Sequence, residues 1–239
     1  MTWPKVAWNQ VPTMSSSALR EADEQARSRF GIEPIQLMEV AGWQVARFVD
    51  RFVNGVRGQR VTVVAGSGNN GGDALVAARF LHQRGALVRA SIVASREPNS
   101  LAARHAVTIA RLGIPMVEAP QGIDPSSDVV VDGLFGIGIR LPLRDPAPRI
   151  IEAMNVSQVS IVAVDVPSGL DADSGAGREG AVRAAVTVTL VAPKAGLRAS
   201  TNAGRVFVAD IGMPVGLFSS EREALAGLYQ IGDMVELTN

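Results

Sequence analysis

Residues 61–73 read VTVVAGSGNNGGD, and this stretch decides the fold. Val61 to Ala65 is a short β-branched run, the pattern of a buried strand. Gly66 to Gly72 then holds four glycines and two asparagines. These residues favour positive φ or side-chain bonds to their own backbone, which predicts a turn rather than helix or strand. From Asp73 the run DALVAARFLHQRG predicts a helix that stops at Gly85. The layout is therefore strand, glycine-rich turn, helix start. Bare backbone N–H groups at such a helix start are suited to phosphate. Gly66, Gly68 and Gly71 also match the dinucleotide spacing G-x-G-x-x-G, which alone is a weak signal. Asn69 and Asn70 add two amides, and Asp73 adds a carboxylate that would oppose a nearby phosphate. The combination suits a nucleotide on one side and a cation or sugar hydroxyl on the other.

Upstream, residues 1–14 read as an arm. Trp3 and Trp8 flank Pro4 without a period, open to packing on the body or on a second subunit. Ser15–Ser17 cap a helix that Gly31 ends. A second helix follows Pro34, with Leu37, Ala41, Val45, Phe48 and Phe52 on one face. Gly42 within it costs about 1 kcal/mol relative to alanine, and close packing is one reason to keep it. Downstream the pattern is regular. Strand-like 87–94 precedes a helix near 101–112. Strand 116–119 is followed by strand 129–132 and the glycine loop GLFGIGIR. A helix near 146–154 leads to strand 160–165, which ends in VPSGLD. Then come the strand-like runs AAVTVTLVA and RVFVADI, a short helix near 221–226, and a tail, DMVELTN, without an assigned element. Strands alternating with helices predict an α/β chain: a mostly parallel sheet covered on both faces, three layers in all. Residues 15–239 read as one domain.

Composition bounds the function. The chain has 239 residues, 47% hydrophobic and 19% charged, with formal net charge +0. That length buries a substantial core. Zero net charge gives no general attraction to nucleic acid or membranes. There is no cysteine, which excludes disulfides and thiolate metal sites. His82 and His105 both fall in predicted helices and read as surface residues, so a histidine-built zinc site is not expected. No apolar run approaches the roughly 18 residues of a membrane span, and no signal layout opens the chain. The expected location is cytoplasmic.

Three strands end in unusual loops: AGSGNNGGD, VDGLFGIGIR with Asp132 at the strand end and Arg140 beyond, and VDVPSGLD with Asp165 at the strand end and Ser168 after it. In a parallel sheet all three meet on one edge, where ligands of open α/β sheets bind. A small-molecule site is the favoured reading. Taken singly, Asp132, Asp165 and Ser168 are also turn formers and Arg140 is also a plausible surface residue.

These segments carry a resemblance. GSGNNGGDALVAARFL, VVDGLFGIGIRLPL, VAVDVPSGLDADSG, APKAGL, GRVFVADIGMP and the earlier LMEVAG resemble the NAD(P)H-hydrate (NAD(P)HX) epimerases over about residues 15–215. NNGGD with DVPSGLD is the specific part. The resemblance implies a Rossmann-like fold, usually dimeric, that interconverts the R and S forms of hydrated NADH or NADPH at carbon 6 of the nicotinamide ring. By the same resemblance Asn69, Asn70, Gly71, Gly72 and Asp73 bind substrate, as do Gly136, Ile137, Gly138, Ile139, Arg140, Leu141 and Pro142, and Asp165 contacts it. A potassium ion is implied among Asn70, Asp132 and Ser168, and their amide, carboxylate and hydroxyl oxygens suit a hard cation. Three departures stand out. Val40 replaces the asparagine of LMENAG-type members, Ala74 replaces a glycine, and Arg140 falls where some members have lysine. Arginine stays protonated, so Arg140 is expected to assist binding rather than proton transfer.

Inverting a hydroxyl-bearing carbon beside a ring nitrogen needs an acid for the leaving oxygen and a base for the returning water; ring opening is the other route. Asp165 is the candidate for this work. The alternatives are a non-catalytic nucleotide-binding or scaffold module of the same fold and an ordinary dehydrogenase. The latter is expected to carry an acidic residue after its second strand, where this chain has Ala94, Ser95 and Arg96. The chain ends at Asn239, before a fused dehydratase domain would begin, so no ATP- or ADP-dependent dehydratase activity is expected.

Overall fold

The structure is a computed structural model and describes residues 3–94, 97–121 and 123–239. Ser95 and Arg96, used above against a dehydrogenase, lie outside the described residues. In chain order the elements are β1 (Lys5–Ala7), α1 (Ser16–Phe30), α2 (Pro34–Phe52), β2 (Arg60–Ala65), α3 (Asn69–Gln83), β3 (Leu87–Ile92), α4 (Leu101–Arg111), β4 (Met116–Glu118), β5 (Val129–Gly133), α5 (Ala147–Val156), β6 (Ile161–Val164), β7 (Val186–Leu190), α6 (Ala195–Arg198), β8 (Arg205–Ala209), α7 (Arg222–Ile231) and β9 (Met234–Thr238).

The strands form one sheet in the order β1-β9-β8-β7-β6-β5-β2-β3-β4. Among the described residues only the β8–β9 pair is antiparallel. Central strands are mostly apolar because both faces are covered, with Thr62, Asp132, Thr187 and Thr189 as buried polar positions, and alternate residues serve opposite layers. Val63, Val131 and Val162 pack with Leu19 of α1, Val45 and Phe48 of α2, Leu75 of α3 and Ile109 of α4. Val64, Val130 and Ala163 pack on the opposite face with Ile150, Ile151 and Met154 of α5. The three-layer expectation therefore holds.

From β2 the chain builds outward through β3 and β4, then returns to the other side of β2 as β5. That reversal leaves a crevice at the carboxyl ends of β2 and β5. Close packing of α2 on α3 frames it. A Cβ on Gly42 would run into the Val76 side chain and lie 2.8 Å from the Asp73 carbonyl oxygen, so the glycine in α2 is there for contact.

Several local expectations change. Helix α3 begins at Asn69, four residues before the predicted start, with Gly68 as its N-cap. Gly66, Gly68, Gly71 and Gly72 all avoid positive φ. At Gly66, Gly71 and Gly72 the requirement is space: a Cβ on Gly71 would run into the Gly66 carbonyl oxygen, and one on Gly72 into the Met38 side chain, 2.6 Å from its sulfur, whereas Gly68 faces open space. The amino-terminal segment tucks onto its own body. β1 pairs with β9, Trp8 is buried, and Trp3 stacks on Phe48 at 6.3 Å. The tail is strand β9, which lies between β8 and β1, and the last helix runs on to Ile231. His105, read as a surface residue, is buried, and burial lowers its pKa. No helix among the described residues is long and apolar enough to cross a membrane.

Candidate active site

Strands β2, β5 and β6 are neighbours, so their three loops do converge. They open onto a cavity of about 470 Å³, with Asp23 of α1, Asp73, Gly136, Asp165 and Lys194 on its walls. Leu37, Met38 and Met213 give it apolar surface. A mostly apolar pocket with a few convergent polar groups is the usual form of a small-molecule site.

Asp165 follows directly on β6 in a left-handed conformation, φ 67°. Such a conformation in a non-glycine residue persists only where its surroundings fix it. Here its N–H donates to the Val188 carbonyl at 2.8 Å. Its Oδ1 pairs with the Lys194 ammonium and accepts the Leu190 N–H at 3.1 Å. Lys194 is 1% exposed. Its Nζ also donates to Thr189 Oγ1 at 3.0 Å and to the Leu190 carbonyl at 2.9 Å, so all three ammonium protons are placed. The loop that brings Lys194 back over β7 bends at Val191, φ 65°, an unusual backbone for a β-branched residue.

The donors on Asp165 converge on Oδ1. Among the described residues none donates to Oδ2, which points past Gly136. A Cβ at Gly136 would lie 3.2 Å from that oxygen and 3.1 Å from Asn70 Oδ1. Glycine there keeps the space between the amide and the carboxylate open. Asn70 in turn donates Nδ2 to the Val164 carbonyl at 3.1 Å, tying the first loop to the end of β6.

Asp132 in β5 has a different setting. It is wholly buried and accepts Ser168 Oγ at 2.6 Å, Ser168 N–H at 2.9 Å and Leu134 N–H at 3.2 Å. Ser168 Oγ also accepts the Phe135 N–H at 2.8 Å, so the turn after β6 is fastened to the loop after β5. Burial pushes Asp132 up to about 6, against the pull of those hydrogen bonds. No cationic side chain pairs with it among the described residues.

Asp73 is buried, and burial followed by the charges of Asp165 and Asp23 holds it well above the usual carboxylate range. Asp23 opens into the cavity from α1. The surrounding protein pushes it up to about 6, with the Asp165 charge adding and Lys194 opposing.

A family model described as YjeF-related protein N-terminus matches residues 34–196. The chain belongs to this family. Among curated relatives, an NAD(P)H-hydrate epimerase of Fusarium vanettenii is 34% identical over 60% of this chain and 61% of its own length. A bifunctional NAD(P)H-hydrate repair enzyme of Thermofilum pendens is 36% identical over 58% of this chain and 28% of its own. The crystal structure of yeast ynu0 is 30% identical, with TM-score 0.75, over 83% of this chain and 88% of that one. The match thus spans about 61% of the length of the first curated epimerases.

The matched segment of this YjeF-type chain contains both glycine loops and Asp165. Asn69, Asn70, Asp73, Gly136, Ile137, Gly138 and Asp165 line the cavity. Gly71 and Gly72 lie buried beneath it as packing residues. Asp132 and Ser168 sit behind its floor, wholly buried. Ile139, Arg140, Leu141 and Pro142 fall outside the lining, and Leu141 and Pro142 border a separate depression with Gly177 and Arg178. Sequence reasoning assigned no role to Lys194 or Asp23. Lys194 sits in APKAGL, so its segment was visible but its partner was not. Asp23 lies in a polar helical run where nothing in the pattern marks one carboxylate over its neighbours.

Proposed function

We propose that this chain epimerises hydrated NADH and NADPH at carbon 6 of the nicotinamide ring. The observation that carries the reading is Asp165. One of its oxygens is fixed by a buried lysine and the other is presented to the cavity at the strand switch of a YjeF-type fold. The relatives named as NAD(P)H-hydrate epimerases support the substrate. The first turn of α3, Asn69 to Asp73, would receive the nucleotide, with phosphate near the helix N-terminus. The apolar surface of Leu37, Met38 and Met213 would hold the nicotinamide ring beside Asp165 Oδ2. Gly136 to Gly138 would cover the substrate, and Ile139 to Pro142 would meet only its outer end.

At carbon 6 the ring nitrogen lone pair expels hydroxide once that oxygen is protonated, and water returns on the other face. Asp165 Oδ2 is the free carboxylate oxygen for this proton traffic. Potassium fits the region behind the floor. Asp132 is a wholly buried carboxylate without a basic partner, and a monovalent cation would supply the missing charge. Among the described residues no three His, Cys, Asp or Glu side chains gather as a metal site, so the cation would rely on mixed oxygens. Asn70, Asp132 and Ser168 would hold it, with the Ser168 hydroxyl already shared between Asp132 and Phe135. Residues 15–239 would act as one domain, as a homodimer and in the cytoplasm, with neither nucleic acid nor membrane as a partner.

The direct test is chromatography of an NADHX epimer mixture enriched in one form. Faster approach to the epimer equilibrium with protein than without it is expected. An unchanged rate at micromolar protein would dismiss the reading.

A further inference from the structure

Building on the epimerase reading, we propose that Asp23 is the second acid–base residue, working from α1 in the cavity that Asp165 also lines. Three features of its placement point there. It lines the cavity that Asp165 lines. It is exposed, and among the described residues it has no hydrogen bond or ion pair, so its carboxyl is free for a ligand. Asp165 instead has one oxygen committed to Lys194.

The chemistry needs such a pair. The hydroxyl leaves from one face of the ring and water returns to the other, so one carboxyl cannot serve both events from a fixed position. In one direction Asp23 gives its proton to the carbon 6 hydroxyl. The carbon–oxygen bond breaks, its electron pair leaves with the oxygen as water, and the nitrogen lone pair forms the C=N bond. Water then adds from the opposite face, the C=N electrons return to nitrogen, and the extra proton passes to Asp165. The substrate's composition is unchanged, and one proton has moved from Asp23 to Asp165. The reverse reaction carries it back.

The two carboxyls have different neighbours: Asp165 Oδ1 is held by the Lys194 ammonium, whereas Asp23 is unpaired among the described residues and raised by desolvation from the cavity wall, then by the Asp165 charge. The charged groups facing Asp23 are Asp165 and Lys194 from the strand ends, Asp73 from α3, and Arg20 one turn earlier on α1. Asp73 is the rival. It is buried, and burial followed by the charges of Asp165 and Asp23 raises its pKa, which suits a fixed hydrogen-bond donor better than a group that must both give and take a proton.

The test compares wild type, Asp23→Asn and Asp23→Glu on purified NADHX epimers from pH 5 to 8. The active pair carries one proton, so wild-type kcat/KM should fall as pH rises through about 6. Asp23→Asn should lower kcat by about 100-fold or more with little change in KM, lose that limb, and keep its thermal midpoint. Asp23→Glu should recover part of the rate and show the limb again. An active wild type with an unaffected Asp23→Asn overturns this assignment alone. So does a loss confined to KM with the pH profile intact. A wild type that does not epimerise NADHX overturns the underlying reading.

Discussion

Asp132 and Asp165 terminate neighbouring strands of one sheet, each followed by a glycine-containing turn, yet they have opposite surroundings. Asp165 meets a buried ammonium and turns its second oxygen into the cavity. Asp132 meets only hydroxyl and amide donors, is wholly buried and is not part of the site cavity's lining. A strand-end carboxylate is thus given its task by what a distant segment brings to it. For Asp165 that is Lys194, 29 residues on; for Asp132 it is Ser168, 36 residues on. The first arrangement suits the proposed proton traffic and the second the proposed cation.

The largest test of that contrast is Asp165→Asn. It keeps the shape and removes the titrating group, so epimerisation should slow by about 10²–10⁴-fold after the spontaneous reaction is subtracted. A wild-type rate would reduce Asp165 to a turn residue. Next in size is Lys194→Met. It leaves Asp165 without its counter-ion, and breaking a buried pair destabilises by about 3–5 kcal/mol. Urea unfolding should show the loss, and the double variant with Asp165→Asn should be more stable than the two single losses would add to. Strict additivity would argue against a coupled pair.

The Asp132 half is sharpened by salt. Exchanging potassium for tetramethylammonium at equal ionic strength should lower the thermal midpoint by a few degrees, as expected when a ligand of the folded state is withdrawn. Asp132→Asn should erase the difference between the two salts, whereas Asp165→Asn should retain it. Equal midpoints for the wild type in both salts would remove the cation from the account. The smallest effect is expected at Arg140, outside the cavity lining. Arg140→Ala should raise KM by roughly twofold to fivefold with kcat unchanged. A large fall in kcat instead would bring the outer half of the second glycine loop into the chemistry.

The sequence by itself determined the layered α/β plan. Strand-length β-branched runs alternating with amphipathic helices have few ways to bury both kinds of apolar surface. It also determined that three loops would share one edge, because parallel strands all end on the same side. NNGGD and DVPSGLD marked the family, together with Asn69, Asn70, Asp73 and Asp165 of the cavity lining. Local composition misled at α3, where glycine and asparagine argued for a turn. The tertiary structure makes Asn69 to Asp73 helical, since Gly71 and Gly72 are needed where the Gly66 carbonyl and Met38 approach. The tail was missed as a strand because its pairing partners, β1 and β8, are remote in the chain. What only the tertiary structure decided was the electrostatics of the site. Whether a carboxylate is paired, buried or free depends on side chains that arrive from other segments. The spacing of Asp23, Asp165 and Lys194 along the chain carries no record of their meeting.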